Sequence, residues 1–167
     1  MPFELHEQGL HVLLNASSCR DAAAIAAAVE SGAVHTLSAV ASAAHAAGRA
    51  GALALAFGVL THLIEHCAEG ATRFCGAGGR DCGRGSTAEG VPLLLTLCEP
   101  ASSLGGYPEV RVSAAELLLT LCAVAPPPAR GALVRIGARR ALGSLSSGGM
   151  SEAIAARAAQ AAQELPD

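Results

Sequence analysis

The residues best spaced for chemistry are His62, Leu63, Ile64, Glu65 and His66, an H-x-x-E-H run. On a helix the two histidines stand four residues apart and share a face, as two imidazole ligands of one metal must. Glu65 is the kind of residue that takes a proton from metal-bound water. A catalytic zinc also needs a third protein ligand and an open position, and nothing marks Glu116 or Glu152 as that ligand.

The helix that carries the run has a pattern of its own. Ala56, Leu60, Leu63 and Cys67 recur at i, i+4, i+7 and i+11, with Val59 and Ile64 at the edges of one apolar stripe. Glu65 and Gly58 fall almost opposite that stripe, His62 lies to the side and His66 near the boundary, so both histidines read as flank residues and no metal or cofactor is assigned. The run also resembles the zinc motif of the inverzincin metalloproteases, which implies an alternative, a zinc-dependent hydrolase using residues 62–66. That family sets its motif on a large α+β domain, and no stretch here alternates with period two long enough to supply the sheet.

Other candidates are weaker. Glu65 and Glu69 are like charges one turn apart. The glycine-rich run 76–85 lacks the Lys-Ser/Thr ending of a phosphate-binding loop. Cys82, between Arg80, Asp81 and Arg84, is the one cysteine expected to be exposed.

The elements that must position these residues follow from composition. The chain has 167 residues, 51% of them hydrophobic but only 2% aromatic and none Trp. Such a core is made of Ala, Leu and Val, which calls for close-packed helices in a single domain, 1–167. The longest nearly apolar run, Ala50 to Leu60, has about half of the roughly 20 residues a membrane span needs. Residues 1–8 carry Glu4 and Glu7 and no apolar run, so no signal peptide is read and a cytoplasmic location is expected, with six free thiols. The net charge of −3 argues against nucleic acid as a partner. Arg130, Arg135, Arg139 and Arg140 form a local basic cluster, read as a solvated helix face.

An internal repeat organises the chain. Gly32, Gly78 and Gly137 each follow, eighteen positions on, a leucine (Leu14, Leu60, Leu119) that itself precedes a small polar residue (Asn15, Thr61, Thr120). The glycines are spaced by 46 residues and, with residues 80–90 set aside as a flexible insertion, by 48. Armadillo and HEAT-type repeats run about 40 to 47 residues. Pro126, Pro127 and Pro128 stop the helix that Leu117 to Cys122 builds, and Pro92 suits the first turn of another. Residues 78–90 and 99–108 read as loops.

The stretches AVESGAVHTLSAVAS (28–42), LLNASS (13–18) and VRVSAAELLLTLC (110–122) resemble the helix junction and the third helices of the armadillo family. The resemblance implies an all-α, armadillo-like right-handed α-solenoid of about three repeats. It further implies a non-catalytic scaffold that binds a protein or peptide along the groove of its third helices, with Asn15, Thr61 and Thr120 as the ladder and His11, Phe57 and Glu116 four residues before each. Nuclear import adaptors of that family carry Trp at the latter positions, and none stands here. The apolar residues Phe3, Leu5, Leu10, Leu13 and Leu14 have no preceding repeat to cover them, so the N-terminal helix is expected to be covered in a homodimer or larger assembly.

Overall fold

The computed structural model describes residues 3–76, 90–99, 107–147 and 149–166, and every regular element among them is an α-helix. In chain order they are α1 (Phe3–Ser17), α2 (Ala22–Glu30), α3 (Ala33–Ala46), α4 (Ala50–His66), α5 (Ala68–Phe74), α6 (Gly90–Cys98), α7 (Pro108–Val124), α8 (Pro127–Ile136), α9 (Ala138–Ser147) and α10 (Glu152–Glu164). The all-α class expected from the sequence is what the structure shows. Most of the two expected loops, with Gly78 and Cys82, lies outside the described residues.

Helix ends are set by identifiable groups. The Asp21 carboxylate accepts from the backbone N–H of Ala23 at 3.0 Å and of Ala24 at 3.2 Å, filling two orphan donors at the start of α2. Gly32 and Gly137 join α2 to α3 and α8 to α9 with φ of +93° and +103°, a left-handed turn that glycine makes at no steric cost. The chain turns after α5 at Gly76, with φ +66°, and Gly78 lies outside the described residues. With seven residues against nine in α2, α5 ends two residues sooner than the repeat spacing predicts. The three prolines both end α7 and start α8, where Pro127 and Pro128 occupy the first turn.

Two of the four clustered arginines, Arg130 and Arg139, hold such ends, while Arg135 and Arg140 are exposed as expected of a solvated face. Arg130 donates to the carbonyls of Ala125 (2.8 Å) and Ala123 (3.0 Å), closing α7. Arg139 donates to the carbonyls of Leu165 (2.7 Å) and Pro166 (2.8 Å), and Arg140 pairs with Glu99 at 3.1 Å. Elsewhere Arg73 on α5 reaches the Val29 carbonyl at 3.0 Å and so holds the end of α2.

Packing repeats along the chain. Helix α1 lies against α4, α4 against α7 and α7 against α10, while α3 meets α6 and α6 meets α9. Each member of the second row also packs on the helix that follows it, α3 on α4, α6 on α7 and α9 on α10. One apolar cluster runs from Leu10 to Leu165 through these contacts. Gly90, counted above with the insertion, is buried at the start of α6, where a Cβ would stand 3.0 Å from the Phe74 ring and 3.3 Å from the Ser38 hydroxyl. It therefore belongs to the fold.

Candidate partner-binding surfaces

Helix α4 carries the H-x-x-E-H run on its rim. Its apolar stripe is buried as the spacing predicts at Ala56, Leu60 and Leu63, and burial extends to Ala52, Leu53, Phe57, Val59 and Ile64 because α1, α3 and α7 all pack on it. The His62 ring faces the end of α1, with Nδ1 3.2 Å from the Ser17 hydroxyl and 3.3 Å from that of Ser18. Both hydroxyls donate to the Leu14 carbonyl, at 3.0 and 2.7 Å, so the network assigns the proton to Nδ1 and makes His62 the donor across the α1–α4 seam. His66 faces its neighbour Glu65 at 4.0 Å. Among the described residues no group of three His, Cys, Asp or Glu is placed to hold a metal.

The expected ladder positions lie on α1, α4 and α7, helices in contact in that order. Asn15 on α1 is exposed, and Thr61 on α4 and Thr120 on α7 are half-buried. The Thr61 hydroxyl donates to the Phe57 carbonyl at 2.8 Å, which leaves it able only to accept from a partner. The three residues four positions earlier do not share one environment. His11 is exposed, while Glu116 is half-buried and takes both its oxygens to Arg157 Nη1 on α10, at 3.0 Å each. Phe57 is only 1% exposed, so the expectation that it meets a partner is corrected: α4 takes the ring into the core.

At the N-terminal end an apolar groove of about 450 Å³ opens between α1, α2 and α3, floored by Val59 and Leu63 of α4. The expected uncovered residues divide there. Leu10 is 4% exposed at the groove lining of α1, which packs on α4, and Leu14 is half-buried against Gly58. Val12 and Leu13 are the exposed ones, at 67% and 50%, and the side chains of Phe3 and Leu5 lie outside those described.

The chain matches no protein-family model, no curated protein and no solved structure. Its surfaces must therefore be read from their chemistry. The groove was the feature missed in the sequence, although Gly9, Leu13 and Ala16 already mark a small-and-apolar stripe at helical spacing along α1. Among the thiols, Cys19 is exposed, contrary to the expectation that Cys82 alone would be. Cys75, Cys98 and Cys122 are buried, and burial pushes the first two up to about 12 and the third to about 11. They are neutral apolar groups at physiological pH rather than nucleophiles.

Proposed function

We propose that this chain is a non-catalytic protein-interaction scaffold, an armadillo-like right-handed α-solenoid of about three repeats whose row of third helices binds an extended peptide or protein segment. The observation that carries the reading is the succession of contacts α1 on α4, α4 on α7 and α7 on α10. Such a row offers one long face, to which we assign Asn15, Thr61, Thr120, His11 and Glu116, each of them exposed or half-buried. Asn15 is the strongest of them as a backbone reader, since an exposed side-chain amide donates and accepts at once. The Glu116–Arg157 pair adds both charges to the same row at the α7–α10 step.

Selection of unstructured peptides from a display library on the purified protein tests this. Binders are expected to be lost when Asn15→Ala, Glu116→Ala and Thr120→Ala are combined, with the helical circular dichroism unchanged. Binders indifferent to that triple variant, or no binders at all, would remove the reading.

A further inference from the structure

The groove of α1, α2 and α3 has two counterparts further along the chain. Helices α4, α5 and α6 form one, and α3 lies in it, packed on all three. Helices α7, α8 and α9 form the other, and α6 lies in it in the same way. The third-helix row thus has four members, α1, α4, α7 and α10, while the row that fills the grooves has only α3, α6 and α9. The N-terminal groove is the one place in this series with no helix among the described residues.

Its chemistry matches that vacancy. All four lining side chains with polar atoms are already engaged within the chain. Ser17 donates to the Leu14 carbonyl, Asp21 caps α2, Ser31 donates to the Ala28 carbonyl at 2.8 Å and Thr36 to the Gly32 carbonyl at 3.3 Å. With their hydrogens spent, the three hydroxyls can only accept, and the remaining walls are apolar apart from Asp21, which suits a helix face better than a polar metabolite. Gly9, Ala16, Ala24, Ala28 and Ala33 line the walls, and side chains this small let a second helix axis approach closely. Nothing lies within 4 Å of where a Gly9 Cβ would point.

We infer that the groove binds an amphipathic helix of about two to three turns from a partner protein, seated where α3 sits in the groove of α4, α5 and α6. This rests on the repeat reading above and adds the form of a second partner segment. The partner helix carries apolar or small residues in the pattern that α3 buries, Val34, Leu37, Ser38, Ala41 and Ala44, with Ser38 facing Gly90 of α6, and Asp21, the one charged lining residue, favours a basic residue beside that stripe.

The probe is a peptide with the α3 sequence, 33–46, stapled as a helix on its solvent side and labelled for fluorescence anisotropy against the full chain. Saturable one-to-one binding is expected, weakened about tenfold or more by Gly9→Trp and by Ala16→Trp, and undisturbed by the Asn15, Glu116 and Thr120 triple variant. Gly9 and Ala16 are both exposed on the groove lining, and among the described residues nothing lies within 4 Å of a Gly9 Cβ, so the melting temperatures of both variants should equal or exceed that of the parent. Absence of saturable binding, or binding that both tryptophan variants leave intact, overturns the inference without touching the peptide-binding face. Sedimentation over a dilution series supplies the other arm: a dimer abolished by Gly9→Trp would overturn it in favour of a second copy as the occupant. Loss of library binders alongside retained α3-peptide binding would instead remove only the proposed function.

Discussion

Two glycines on helices illustrate how much a single residue's surroundings decide. At Gly90 a methyl group would press on the buried Phe74 ring, so Gly90→Ala is expected to destabilise by about 1–3 kcal/mol in urea unfolding. At Gly9 the same change meets empty space and improves helix propensity, so Gly9→Ala should stabilise by up to about 1 kcal/mol. Neither outcome was legible in the sequence, where both residues are glycines near apolar runs and only the folded neighbours differ. The thiols give a pH signature with a definite sign. A thiol that ionises at 9.0 when unfolded and near 12 when buried binds more protons in the native state between those values. Stability is therefore whole below about pH 9 and falls as pH rises toward about 12, by about 1.4 kcal/mol per pH unit for each buried thiol. Urea midpoints measured across that window should fall, and Cys98→Ala should make the slope shallower.

At the scale of elements, proline and glycine made most of the helix boundaries readable in advance. Gly32, Gly137 and the triple proline all sit at junctions because backbone sterics permit little else there. After α5 the turn falls at Gly76, since α5 is two residues shorter than α2, and Gly78 lies outside the described residues. Phe57 could not be placed from the sequence: register alone cannot tell that α4 is packed by three neighbours, which leaves its large ring no exposed side. The arginines were legible as charges but not as clamps, since the carbonyls they hold come from other elements. Arg130→Ala should therefore fray the end of α7, seen as faster amide exchange around 121–125 and a loss of about 1–2 kcal/mol.

For the whole molecule, α1, α4, α7 and α10 meet in succession, so each of these four is held by its own set of neighbours. Helices α4 and α7 have neighbours on both sides and bury eight residues each, whereas α2 and α10 bury two each. Hydrogen exchange is expected to rank protection accordingly, slowest in α4 and α7 and fastest in α2 and α10. Uniform protection would show that the fold opens only as a single unit. The all-helical class was legible in the sequence because its apolar content is Ala, Leu and Val with almost no aromatics, while the groove needed three helices brought together from residues 9–40 before its apolar walls could be seen to face one another.

Gly9 has one more use, and it is optical. The protein has no Trp and a single Tyr, Tyr107, which stands half in solvent at the start of α7. Indole emission is consequently silent in the parent chain. Gly9→Trp places the only such fluorophore of the protein against Leu13 and the alanines of the groove, and its emission colour and quenching by iodide then report how wet that one cleft is, with no background from anywhere else in the molecule.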